Sequence, residues 1–186
     1  KDNYAGVTWS DIPESDGRRI FLGWMSNWQY ANVVPTDRWR SAMTIPRTLH
    51  LQNTPDGIRL ASRPVKELEE IRQTSFDISS MQVDGTQPIA NLPFKATPSE
   101  MVLEFQLSDE NKNAGIELSN EKGQKITIGF DRERNSFYVD RTDAGDHEFS
   151  EHFGGIHYAP RTSTGDRIDL HIFIDVASVE LFADNG

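Results

Sequence analysis

Apolar and polar residues alternate along much of the C-terminal part of the chain. In MVLEFQLS (101–108), Leu103, Phe105 and Leu107 fall on one side. KITIGF (125–130) places Ile126, Ile128 and Phe130 together. RIDLHIFI (167–174) does the same with Ile168, Leu170, Ile172 and Ile174, and SVELFA (178–183) with Val179, Leu181 and Ala183. A period of two over runs this short predicts half-buried antiparallel strands. The runs are broken by turn chemistry: EKGQ (121–124), DRERNS (131–136), DAGD (143–146) and STGD (163–166). Many short strands with such punctuation predict a sandwich or barrel.

One stretch has a different period. In RPVKELEEIRQ (63–73), Pro64 stands near the start and Val65, Leu68 and Ile71 recur at helical spacing, with charged residues opposite. The predicted helix separates regions of unlike composition. All four tryptophans, Trp9, Trp24, Trp28 and Trp39, lie within residues 1–50. In that region, strands are expected at about 5–10 and 18–25, and SAMTIPRTLHL (41–51) reads as the next. LQNTPDGIRL (51–60) reads as a hairpin leading into the helix. The expected organisation is residues 1–50, a hairpin and helical linker over 51–73, and an all-β region over 74–186.

Composition narrows the partners. The chain has 186 residues and a net charge of −10, which argues against nucleic acid or an anionic membrane surface. No segment approaches the ~18 consecutive apolar residues of a membrane span. There is no cysteine, so disulfides and thiolate chemistry are out. His147, His152 and His157 recur every fifth position, a spacing that gathers them on neither a helix face nor a strand face. No metal site and no cofactor are expected. ELEE (67–70) reads as the wet face of the helix.

The segment GWMSNWQY (23–30) is the richest in candidate chemistry. Its first half continues a strand, with Trp24 expected in the core. Its second half opens a long loop, SNWQYANVVPTDRW (26–39), with exposed-type amides beside aromatic rings. Aromatic faces stack on the C–H face of a sugar ring, while amides and carboxylates meet its hydroxyls. Trp28 is the leading candidate for a sugar contact, with Tyr4 and Asn27 beside it; Gln29 and Asp2 rank lower. Trp9 and Trp39 are expected as structural wedges, and Arg40 and Arg47 as ion-pair partners of acids at a domain junction.

DNYAGVTWSD (2–11), RRIFLGWMSNWQY (18–30), PTDRWRSAMTIPRTLHL (35–51) and SVELFADNG (178–186) together resemble the fructan hydrolases of glycoside hydrolase family 32, bacterial levanases above all. The resemblance implies that residues 1–50 are the last part of a five-bladed β-propeller catalytic domain. Residues 74–186 would be the C-terminal β-sandwich, lacking its last strands. It also implies a secreted bacterial enzyme that hydrolyses β-fructofuranosidic bonds of fructans and sucrose with retention. An aromatic residue of the family's fructose pocket falls at Trp28. Retaining hydrolysis needs two carboxylates about 5 Å apart, and the family carries them in Asn-Asp-Pro and Glu-Cys motifs, with a further Asp in Arg-Asp-Pro. This chain has none of the three motifs. It is therefore expected to hold no catalytic residue, to be inactive alone, and to need the N-terminal propeller blades as partner. The competing reading is a non-catalytic fructan-binding or structural β-sandwich module.

Overall fold

The computed structural model describes residues 2–89, 97–108 and 113–186. Its strands form three antiparallel sheets. The first has the order β1 (Tyr4–Thr8), β2 (Arg19–Trp24), β3 (Arg47–Thr54), β4 (Gly57–Pro64). The second runs β11 (Val179–Ala183), β10 (Arg167–Ile174), β5 (Ser99–Gln106). The third runs β6 (Asn113–Ser119), β7 (Lys125–Asp131), β8 (Ser136–Asp140), β9 (Ile156–Pro160).

The second and third sheets face one another, and the alternation that predicts strands is what fills the space between them. Ile168, Leu170, Ile172 and Ile174 of β10 point inward and meet Ile128, Phe130 and Phe137 from β7 and β8. Leu103, Phe105, Ile126, Val179 and Leu181 line the margins of this core. Ile168, Leu170 and Ile172 are wholly buried, so truncating any one to Ala costs about 2–5 kcal/mol. The hairpins close on the predicted turns. At 120–124 the Asn120 side-chain oxygen accepts from the backbone N–H of Lys122 and Gln124. Gly123 adopts φ +77°, which favours a residue without Cβ.

The other face of the second sheet is also covered. Phe182 on β11 lies opposite His171 on β10, and the Arg47 guanidinium of β3 sits 4.7 Å above the Phe182 ring. Glu180, two residues from Phe182, accepts from the Ile45 N–H at 2.7 Å and pairs with Arg47. The first sheet thus docks on the outer face of the sandwich. Arg47 finds its acid as expected; Arg40 instead donates to the Asn32 carbonyl.

The helix predicted over 63–73 shrinks to a 3-10 helix, Lys66–Ile71. Arg63 and Pro64 belong to β4, paired with Thr48 and Arg47, and Val65 and Arg72 are extended, so six residues remain for the turn. Such a length favours 3-10 over α geometry. Val65 is buried and Leu68 half-buried, but Ile71 is 74% exposed, so the end of the apolar stripe has no surface to pack on. Glu67 of the expected wet face is bridged by Arg18, which also holds Asp16. The strand expected from residue 41 begins at Arg47; before it, Thr44 clips to Gly23 through both its hydroxyl and its backbone N–H. The predicted hairpin forms, yet it continues the first sheet: β3 runs through residue 50, and β3 and β4 stay in register from Arg47↔Pro64 to Thr54↔Gly57. Residues 74–89 carry neither strand nor helix, and the first sandwich strand among the described residues starts at Ser99.

Candidate functional site

The aromatic patch is built where β2 ends. Tyr4 pairs with Trp24 across β1 and β2, while Val7 pairs with Leu22, so β1 carries an extra residue between them. Ala5 takes φ +48° at this bulge. A bulge bends a strand and re-aims its side chains, and here it sets the Tyr4 ring 6.2 Å from that of Trp24. Gly23 permits the close approach, because a Cβ there would fall 1.8 Å from the Asn3 side chain.

After Trp24 the chain turns at once. Ser26 is buried, and the Ala31 N–H returns to the Asn27 carbonyl at 3.0 Å, closing a single turn over 27–31. Asn27 caps it: its side-chain oxygen accepts from the Gln29 N–H at 2.9 Å. The turn throws Trp28 outward. Its ring is 67% exposed and rests edge-on against Trp24, with centroids 5.0 Å apart. Tyr4, on the other side of Trp24, is 51% exposed. Trp24 itself is half-buried, less enclosed than a core position, because it serves as the shelf on which Trp28 stands. Tyr4, Trp24 and Trp28 thus form one continuous aromatic surface. Trp9 and Trp39, expected as wedges, remain exposed in this chain, at 43% and 54%.

Beneath the patch lies a polar knot. The Asp2 carboxylate accepts from the Asn27 amide at 2.7 Å and from the Tyr30 hydroxyl on one oxygen. Its other oxygen accepts from Arg141 at 2.7 Å. Arg141 also donates to the Tyr30 oxygen at 3.0 Å, and its guanidinium lies 4.2 Å above the Phe153 ring. Burial pushes the Asp2 carboxyl up, but the Tyr30 hydrogen bond, the charge and hydrogen bond of Arg141, and the Asn27 amide together hold it below 3.8. Tyr30 is buried, and burial and its bond to Asp2 push its hydroxyl up to about 12.

The structure therefore brings Trp28 and Tyr4 together at the surface and turns Asn27 inward, with its amide on Asp2. Tyr30 and Arg141 are not among the residues that the sequence singles out. Tyr30 reads as one more loop aromatic, and Arg141 stands 139 residues from Asp2. The only local signal is an arginine directly after a strand that ends in SFYVD. A cleft of about 350 Å³ lies elsewhere, lined by Leu107, Phe130, Arg132, Arg161 and Asp166. It offers no free cation from Arg161, whose three side-chain nitrogens are taken by Asp184 and Ser163 and by the carbonyls of Gly165 and Arg167.

Comparison with known proteins bears on both halves. The model described as "Glycosyl hydrolases family 32 N-terminal domain" matches residues 1–64, and "Glycosyl hydrolases family 32 C terminal" matches 67–186. The chain is similar to a levanase of Bacillus subtilis (strain 168), 39% identical over 188 residues, covering all of this chain and 28% of that protein. It is similar to an extracellular exo-inulinase of Aspergillus awamori, 30% identical over 189 residues, covering all of this chain and 35% of that protein. The crystal structure of exo-inulinase from Aspergillus awamori superposes with a TM-score of 0.78 at 27% identity, over all of this chain and 36% of that one. The chain spans about a third or less of the length of these relatives. Its first sheet is β-propeller structure and its two facing sheets are the β-sandwich.

Proposed function

Because this chain belongs to glycoside hydrolase family 32, we propose that it is part of a β-fructosidase that hydrolyses fructans and sucrose. The polypeptide that contains it is secreted and bacterial, and the first sheet is the last blade of a five-bladed propeller. Trp28 stacks on the apolar face of a fructose ring, and Tyr4 flanks the sugar with its hydroxyl. Asn27 acts beneath them, fixing the turn that presents Trp28 through its bonds to Asp2 and to the Gln29 N–H. The two carboxylates of the retaining reaction come from a segment outside these 186 residues. Asp2 does not replace them, since Asn27, Tyr30 and Arg141 already engage both of its oxygens.

The observation that carries this reading is Trp28: a large ring, two-thirds exposed, supported from below by Trp24. Exposed aromatic surface on a fixed support binds a flat apolar ligand face with little ordering cost. The levanase and exo-inulinase relatives favour fructan as the substrate class.

Binding of levan and inulin oligosaccharides by the chain, measured by calorimetric titration, tests the reading. Trp28→Ala should weaken binding about tenfold or more, as loss of a central aromatic anchor does. The chain alone should release no fructose, while the complete polypeptide releases it with retained anomeric configuration. Unchanged binding by Trp28→Ala, or hydrolysis by the 186-residue chain itself, would overturn the proposal.

A further inference from the structure

We propose that Arg141, a residue of the β-sandwich, is a positioning residue for Trp28, acting through Asp2 and Tyr30. The inference rests on the reading of Trp28 as the sugar contact. Its ring meets the protein edge-on at Trp24, so the backbone turn over 27–31 decides where the indole points. That turn is tied down on each side of Trp28, by the Asn27 amide and by the Tyr30 hydroxyl, and both ties end on the same carboxylate oxygen of Asp2.

Asp2 cannot hold this position by itself. It is a carboxylate drawn under an aromatic layer, and its compensating charge is Arg141, which bonds the second oxygen and the Tyr30 oxygen together. Arg141 in turn has a rigid seat. It follows β8 directly, its backbone N–H is held by the Gly155 carbonyl at 3.1 Å, and its guanidinium lies over Phe153. Phe153 packs on the Tyr30 ring at 5.4 Å between centroids. A fixed point in the sandwich is thereby transmitted to the propeller loop that presents Trp28. Without Arg141 the half-buried carboxylate is left uncompensated and must recruit water or swing out. The turn then loses both ties, and sugar binding has to order it again.

A second ion pair at the junction, Arg47–Glu180, supplies a matched control, because the Arg47 and Arg141 side chains are equally enclosed, each 13% exposed. The experiment labels the full 186-residue chain with fluorotryptophan and records the ¹⁹F resonance of Trp28, assigned by Trp28→Phe, along with titration by inulin oligosaccharides. Arg141→Ala should shift or broaden the Trp28 resonance and weaken binding about tenfold, the effect of having one more side chain to order on binding. Arg141→Lys, which keeps a charge for Asp2 but not the second bond, should recover part of both. Arg47→Ala should lower Tm and leave the Trp28 resonance in place. The proposal is overturned if Arg141→Ala lowers Tm without moving Trp28, or if Arg47→Ala moves Trp28 as far. Should Arg141→Ala not fold, Tyr30→Phe decides: loss of one hydroxyl should move the Trp28 signal, and an unmoved signal refutes the proposal. If the wild-type chain binds no oligosaccharide, the sugar-contact reading fails, while the Trp28 resonance still decides whether Arg141 positions it.

Discussion

Among the described residues, two ion pairs join the propeller sheet and the sandwich, and they use the same charges differently. At one, Glu180 takes the Ile45 N–H and a single arginine, Arg47, beside Phe182. Burial dominates there: it raises the Glu180 carboxyl above 4.5 despite Ile45 and Arg47, and it lowers Arg47 despite Glu180. At the other, Asp2 gathers donors from three residues, and they outweigh burial. A buried ion pair is a weak source of stability when it only joins surfaces. It is worth its desolvation when it fixes a geometry, and only the Asp2 knot lies under an exposed aromatic surface. The difference assigns one bridge to docking and the other to presentation of Trp28.

The largest expected effect sharpens this contrast at the docking bridge. Glu180→Ala leaves Arg47 buried without its acid and should cost about 3 kcal/mol or more in urea unfolding. The paired replacement Arg47→Met with Glu180→Leu should return to within about 1 kcal/mol of the wild type, since an apolar pair needs no compensation. If the double variant stays as unstable as Glu180→Ala, the bridge does more than dock and the contrast is lost.

A smaller effect separates the bridges by pH. Asp2 has a lowered carboxyl, so its contribution is complete above about pH 4 and fades as pH falls through the lowered value. Glu180 has a raised carboxyl, so its contribution is complete below 4.5 and fades as pH rises through the raised value. Unfolding midpoints across a pH series should show Asp2→Asn flattening the acid limb, and Glu180→Gln flattening the slope just above pH 4.5. Slopes of the same sign for both variants would mean that the two sites share one electrostatic balance.

The sandwich was legible because its strands obey a period of two. Ile168, Leu170, Ile172 and Ile174 alternate with polar residues, and each buried position is one the pattern marks. The third sheet was read only in β7. β6 holds a glycine at 115, β8 sets Phe137, Tyr138 and Val139 in a row, and β9 ends in proline, so none shows a clean alternation. The helix is shorter than its spacing predicts, because Val65, Leu68 and Ile71 keep helical spacing while strand pairing claims Arg63 and Pro64 before them. The site divides in the same way. Trp28 and Tyr4 announce themselves as aromatics next to amides, a local signal. The knot beneath them does not, because it joins Asp2, Tyr30 and Arg141 across the fold. No periodicity carries a contact of that separation.

The central claim is that Trp28 is offered to a fructose ring, and one titration addresses it directly. The fluorotryptophan-labelled chain is titrated with short fructo-oligosaccharides into the millimolar range. The Trp28 resonance should shift saturably while those of Trp9 and Trp39, exposed but outside the stacked trio of Tyr4, Trp24 and Trp28, stay in place. A Trp28 resonance that never moves, or one that moves no more than Trp9 and Trp39, would contradict the account.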